Sequence, residues 1–280
     1  LSDILRSNEL NIRSILIELA LEIPDKEVAV FLSSGVDSQS ICFALLEAGK
    51  TVTAYSFTLD DRESRDFLMA KHLSELFGFK FTPILLPSDI STLKADILTL
   101  HKRYGCRKKT EYECTWPFLY AYPAVEQRVC ANGIGSDGHF CLSKRGVLHF
   151  KNNIDEYRSQ YWNRKNGGEY NQHRQLASEY NKVVFEPYRD KKIIDYFAGT
   201  SWYDVNIPKQ KQPILNSFPE YFEKYKVYPH TNFQLGDSGI SAHFEKLLNT
   251  NWNNHNYKSV VGIFNAVNRG ETKYEQRKLI

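Results

Sequence analysis

VAVFL-SSGVDS-QSICFALL, residues 28–46, falls into three parts. Val28 to Leu32 is an apolar, β-branched run between polar residues, the pattern of a buried strand. Ile41, Ala44, Leu45 and Ala48 recur at helical spacing, and Gly49 stands where a helix stops. The Ser/Gly/Asp turn between them puts a helix N-terminus at the carboxyl end of a strand. Free N–H groups and a partial positive charge there favour an anion. Gly35 allows close backbone approach, Ser33, Ser34 and Ser38 offer hydroxyls, and Asp37 can hold a metal that shields phosphate. The turn therefore reads as a phosphate site. Small residues between strand and helix are also common, so the rest of the chain has to discriminate.

Working outward, Ile12, Ile15, Leu16 and Leu19 form an amphipathic stripe, with Ser7 or Asn8 as candidate N-cap. Thr51–Phe57 predicts a second strand, and Met69, Leu73, Leu76 and Phe77 a helix stopped by Gly78. Phe79–Leu86 predicts a third strand, and Ser88 or Asp89 caps a helix carrying Leu93, Ile97 and Leu100. Phe118, Ala121, Tyr122 and Val125 predict a further helix, followed by a short strand over Arg128–Asn132 and the turn GIGSDG at 133–138. Strands alternating with helices imply an α/β fold with a doubly wound parallel sheet, whose ligands sit beyond the strand carboxyl ends. Both turns fall at such ends and can face one site. From Gly146 to Tyr180 no period emerges, which reads as a mobile or substrate-covering segment. The remainder, with repeated Asn as in NTNWNNHN at 249–256, reads as a mostly helical C-terminal lobe.

With 280 residues, 42% hydrophobic and 25% charged, the chain has the composition of a globular protein of one or two domains. No run of eighteen apolar residues occurs, and no signal-peptide pattern opens the sequence. Five cysteines without C-x-x-C spacing argue against a disulfide framework or a zinc site and suit a reducing cytoplasm. A net charge of +3 is too small to imply nucleic acid, and the local cluster Lys102, Arg103, Arg107, Lys108 and Lys109 reads first as a solvated loop. Gly49-Lys50-Thr51 looks like the end of a Walker A loop, but position 44 is Ala and the triplet leads into a strand. His72, His139 and His243 lack ligand spacing, although His139 directly follows the SDG turn.

SSGVDS resembles the S-G-G-x-D-S loop of the PP-loop ATP pyrophosphatases, the adenine nucleotide α-hydrolase-like family. Three further segments resemble the synthetase domain of asparagine synthetase and β-lactam synthetase. Asp66, Ala70 and Gly78 resemble its D-x-x-x-A…G helix; Thr115-Trp116-Pro117 followed by Gly133-Ile134-Gly135-Ser136-Asp137 resembles S-T-P and G-E-G-S-D. Val184-Phe185-Glu186-Pro187-Tyr188-Arg189-Asp190-Lys191-Lys192 with Asp195 resembles V-P-F-L-D-K-K…D. Order and rough spacing match from about residue 10 to residue 215.

The resemblance implies an ATP-binding α/β domain over 1–145 and, over 146–280, a helical lobe that completes the synthetase-like domain and its acceptor site. It implies ATP and Mg²⁺ as cofactors, with Ser33, Ser34, Gly35, Asp37 and Ser38 on the pyrophosphate and Asp37 and Asp137 on the metal. Leu32, Ser56, Phe57 and Gly133 would frame the adenosine. A lysine should stabilise the phosphates as a point charge; Lys209 and Lys211 are both candidates, with Lys211 favoured. The implied reaction is adenylation of a small-molecule carboxylate, releasing pyrophosphate, then amide formation with an amine or ammonia.

Departures restrict this expectation. Ile134 replaces the Glu of G-E-G-S-D, Ser34 replaces a Gly, and Val183 and Phe185 stand where asparagine synthetase has E-x-R. The chain offers no glutaminase domain, so nitrogen would come from a separate glutaminase or another amine. Alternatives are adenylation of a nucleobase in tRNA or DNA, and a nucleotide-binding protein whose acceptor chemistry has been lost.

Overall fold

The computed structural model describes residues 11–59, 63–163, 171–229, 238–248, 251–252 and 255–271. In chain order they form α1 (Ile12–Leu21), β1 (Glu27–Phe31), α2 (Val36–Glu47), β2 (Thr51–Leu59), α3 (Arg65–Phe77) and β3 (Lys80–Leu86). Next come α4 (Ile90–Lys102), α5 (Lys109–Thr115), α6 (Phe118–Ala124), β4 (Val129–Ala131), α7 (Asp137–Phe140), α8 (Lys144–Phe150) and α9 (Ile154–Trp162). The chain continues through α10 (Asn171–Glu179), β5 (Val183–Phe185), α11 (Lys191–Phe197), α12 (Trp202–Asn206), α13 (Gln212–Ser217) and α14 (Pro219–Phe222). It closes with α15 (Ile240–Leu248), the paired short strands β6 (Asn251–Trp252) and β7 (His255–Asn256), and α16 (Val260–Asn268).

The main sheet has five parallel strands in the order β3-β2-β1-β4-β5. β1 is buried from Val28 to Phe31, as a strand covered on both faces must be. It pairs in parallel with β4, Val28 opposite Val129 and Val30 opposite Ala131. From β1 the chain moves first to β2 on one side, and only later to β4 on the other. The strand order therefore reverses between β1 and β4, and ligands of such sheets bind beyond the carboxyl ends at that point. β3, at one edge, alternates exposed and covered residues and contains Pro83, which an edge strand tolerates.

Two compact units interleave along the chain. One takes residues up to Ala54, Gln127–Lys165 and Val184–His230; the other takes Tyr55–Glu126, Asn166–Val183 and the residues from Thr231 onward. Each unit draws on both sides of residue 145. In the first unit, Ile12, Ile15, Leu16 and Leu19 of α1 are all at most 5% exposed, and α1 packs on α2, α11 and α13. Each such aliphatic contributes about 1.5–3 kcal/mol by leaving water. In the second, α3 and α6 pack on β3, and Tyr112 stacks on Phe264 at 4.6 Å.

Several local expectations shift. The cap of α1 is Asn11, whose Oδ1 accepts from the Ser14 N–H; Ser7 and Asn8 lie outside the described residues. Asp89, not Ser88, caps α4. Leu76 is 40% exposed because α3 turns only Met69 and Leu73 of its predicted stripe fully inward. The segment after Gly146 is not without regular structure: among its described residues α8, α9 and α10 form, and α9 packs on α7 and α8. α9 buries Ile154 and Arg158 and α10 buries His173, Leu176 and Ala177, so apolar positions are too few and too widely spaced for the period to show. The basic cluster is exposed except at Lys109, and Arg103, Arg107 and Lys109 have partners within the fold. The Arg107 guanidinium donates to the carbonyls of His101 and Cys106 at the end of α4, Arg103 pairs with Glu179, and Lys109 pairs with Glu113 and Glu245.

Candidate active site

The turn Ser33–Ser38 leaves β1 and opens α2. Its shape is set from within. Ser38 Oγ donates to the Gly35 carbonyl at 3.1 Å and accepts from the Ser33 N–H, also at 3.1 Å. Having one proton, it accepts from Ser33 Oγ across 3.0 Å. The Gly35 N–H is donated to Ser33 Oγ at 3.2 Å. These hydroxyls are thus turned into the loop, a difference from their expected role as outward phosphate donors. Gln39, fully buried, donates to the Ser33 carbonyl and accepts from the Tyr225 hydroxyl. Gly35 is the N-cap of α2 and supplies no side-chain cap. The first N–H groups of α2 have no partner within their own helix, so the anion-binding capacity of the turn rests on main chain. Ser34 is 4% exposed, and Leu32 lies buried just past β1.

The second turn, Gly133–Asp137, leaves β4 and opens α7. A side chain at Gly133 would place Cβ 2.9 Å from the Asp37 Cβ and 3.1 Å from the Ser38 N, so glycine is what lets the two turns touch. Gly135 has φ +97°, a conformation in which an L side chain is strained. Ser136 Oγ donates to Asp37 Oδ1 at 2.7 Å. The strands bearing the two turns are neighbours, so residues a hundred positions apart in sequence become hydrogen-bond partners.

Lys211 completes the group. Its ammonium donates to Asp37 Oδ2 and, at 2.8 Å, to Asp137 Oδ1. The lysine is 2% exposed, whereas the side chains of Asp37 and Asp137 are 18% and 51% exposed. Burial alone would lower its pKa, but the adjacent charges of Asp137 and Asp37 outweigh it and push the ammonium well above its ordinary value. Lys211 holds a left-handed backbone, φ +60° and ψ +35°, at the N-cap of α13, and its N–H is directed at Asn206 Oδ1. Asn206 is anchored in turn by donating to the carbonyls of Phe140 and Trp202. Strained non-glycine backbone concentrates at functional sites, and here it aims the side chain. Lys209 is exposed, and its own N–H goes to Gln212 Oε1.

The donor set suits a hard divalent cation. Two carboxylates already share one cation, the ammonium, and face partly toward solvent. Among the described residues no group of three or more His, Cys, Asp or Glu side chains is assembled as a metal cage. Two carboxylates completed by phosphate oxygens and water is the usual arrangement for Mg²⁺.

His139 is removed from this chemistry. It is fully buried, stacks on Phe197 at 4.6 Å, and its Nε2 faces the Tyr188 carbonyl at 2.7 Å, so that nitrogen carries the proton. Burial pushes its pKa down to about 3, and it stays neutral. Ser56 and Phe57 belong to the second unit, where Ser56 is buried and Phe57 meets Phe118 edge-on at 5.3 Å. Sequence reasoning gave no role to Ser136, Asn206 or Tyr188. Ser136 lay inside a quoted motif; the other two are revealed only by their contacts.

A parallel sheet carrying a phosphate-type turn and a second aspartate turn at its switch point defines the class of PP-loop α/β nucleotide-handling folds. Residues 19–205, more than half of the chain, match the asparagine synthase family. The chain belongs to that family. Among solved structures it is similar to a predicted subunit of a tRNA methyltransferase from Methanocaldococcus jannaschii, with 16% identity, 74% of this chain and 99% of that one covered, and a TM-score of 0.38. It is also similar to NMN synthetase from Francisella tularensis, with 13% identity, 80% and 100% covered, and a TM-score of 0.36. No curated protein matches the sequence significantly. Among the described residues no helix is long and apolar enough to cross a membrane.

Proposed function

We propose that this chain is an ATP-dependent synthetase that adenylates a small-molecule carboxylate and passes the acyl group to an amine or ammonia. The observation that carries the reading is the shared grip of Asp37 and Asp137 on Lys211 beside the uncapped start of α2. A carboxylate oxygen attacks the α-phosphorus of ATP; the bond to the bridging oxygen breaks and pyrophosphate leaves with the electron pair. The amine nitrogen then attacks the acyl carbon, the acyl–oxygen bond breaks, AMP leaves, and the nitrogen gives up a proton to solvent.

The obstacle in the first step is accumulated negative charge. Asp37 and Asp137 would hold Mg²⁺, which neutralises phosphate charge when bound. The main chain of Ser34–Ser38 receives phosphate oxygens, with Ser33 and Ser38 holding the turn in shape. Lys211, fixed by Asn206, supplies a point charge that needs no reorganisation at the moment of reaction. Leu32 and Gly133 are proposed to border the adenosine.

Pyrophosphate release with ATP, Mg²⁺ and a panel of carboxylates and amines tests the reading. We expect release that depends on one carboxylate class and is abolished in Asp37→Ala. Turnover confined to RNA or DNA would replace it with nucleobase adenylation. ATP binding without turnover across the panel would replace it with a regulatory nucleotide-binding role.

A further inference from the structure

Tyr188 is the residue from which both aspartate turns are braced. It is fully buried in the 3₁₀ turn Pro187–Arg189 that follows β5. Its hydroxyl lies 2.7 Å from Ser40 Oγ, and Ser40 Oγ donates its single proton to the Asp37 carbonyl at 2.9 Å. The tyrosine is therefore the donor, and the chain runs Tyr188 Oη to Ser40 Oγ to the Asp37 main chain. At its other end, the Tyr188 carbonyl accepts from His139 Nε2 at 2.7 Å, two residues beyond Asp137 in α7. His139 cannot drift, being stacked on Phe197 and 5.0 Å from Trp162. One residue thus ties the first turn of α2 to α7, and hence Asp37 to Asp137. Tyr188 lines up with the Phe of the V-P-F-L-D box, and a phenyl ring there could not make the bond to Ser40.

We propose that Tyr188 is a positioning residue that sets the spacing of the Asp37 and Asp137 carboxylates for their divalent cation, acting through the Ser40 hydroxyl and the His139 ring. This rests on the reading of those aspartates as the metal–nucleotide site. Residues behind metal ligands typically change metal affinity by about 10- to 100-fold when removed.

The test is a Mn²⁺ titration followed by electron paramagnetic resonance in the presence of α,β-methylene-ATP, a non-hydrolysable analogue. Tyr188→Phe is expected to weaken Mn²⁺ binding about tenfold, and Ser40→Ala by a similar factor. The double variant should be no weaker than the worse single one, because both break one chain. Ser40→Ala carries the test alone if Tyr188→Phe does not fold. Tyr104→Phe is the control: it deletes another buried tyrosine hydrogen bond, to Glu179 in the second unit, and should leave Mn²⁺ affinity unmoved. Wild-type affinity in Tyr188→Phe and Ser40→Ala would overturn the Tyr188 proposal alone. So would additive losses, or equal weakening in Tyr104→Phe. A wild-type protein that binds no Mn²⁺ with the analogue would overturn the nucleotide reading as well.

Discussion

The first turns of α2 and α4 solve the same physical problem in opposite ways. At α4, Asp89 closes the helix with its own carboxylate, accepting from the Thr92 N–H at 2.8 Å and from Ser91 Oγ at 2.6 Å. At α2, Gly35 offers no side chain, and the nearest aspartate, Asp37, faces Ser136 and Lys211 instead. A helix whose N–H groups are met by its own chain is finished. One left open, beside carboxylates that grip a lysine, keeps main-chain donors that can meet an anion. α1 and α3 fall with α4, being capped by Asn11 and Ser64.

That contrast can be broken most severely at Asp37. Asp37→Asn removes half of the proposed metal site and should lower pyrophosphate release by about a thousandfold or more, several kcal/mol of transition-state stabilisation. Lys211→Met should cost about 100- to 1000-fold in turnover, while Lys209→Met, on an exposed side chain, stays within about twofold. The comparison of the two variants in one pyrophosphate assay decides between the lysines. Gly35→Asp would convert α2 into a helix of the α4 kind. A Cβ there meets nothing nearer than Ser33 Oγ at 3.4 Å, so the fold should be retained. Stability should change by only a few tenths of a kcal/mol, while ATP affinity measured by calorimetry falls by about tenfold or more, as a carboxylate takes the phosphate's place. Unchanged ATP affinity would mean that α2's open end is not the phosphate site.

The smallest effect is expected at α4. Asp89→Ala should cost about 1 kcal/mol in denaturant unfolding and leave ATP binding intact. Hydrogen bonds from Ser91 and Thr92 hold the Asp89 carboxyl down at about 2, below its ordinary 3.8. Its contribution is therefore full above about pH 4 and lost as pH falls through about 2. The stability difference between wild type and Asp89→Ala should shrink over that window, and a constant difference would show that the carboxylate is not the cap.

Much of this was legible before any coordinates. The run Val28–Leu32, the αL stops at Gly49 and Gly78, and the buried stripe of α1 follow from local periodicity and glycine stereochemistry. The pairing of SSGVDS with GIGSDG followed from their shared position after strands. What local pattern could not supply is which polar atom meets which. Ser33 and Ser38 look like phosphate donors in sequence, yet Ser33 Oγ donates to Ser38 Oγ and Ser38 Oγ to the Gly35 carbonyl inside the turn. His139 looks catalytic by adjacency, yet α7 turns it into an aromatic core. The helices α8 to α10 show no period in the sequence because few aliphatics anchor them, Ile154 and Leu176 among them, and polar residues share the work, such as Arg158, which donates to the carbonyls of His139 and Thr200.

By itself, the sequence determined the alternation of strand and helix, the two aspartate turns and their order, because hydrophobic period, glycine and short polar side chains act over a few residues. Only the tertiary structure decided that Lys211 rather than Lys209 meets Asp37 and Asp137, and that Tyr188 stands behind them. Those choices depend on a reversal of strand order and on the left-handed backbone at Lys211, which bring together atoms up to 174 positions apart. No pattern spanning a few residues carries that information.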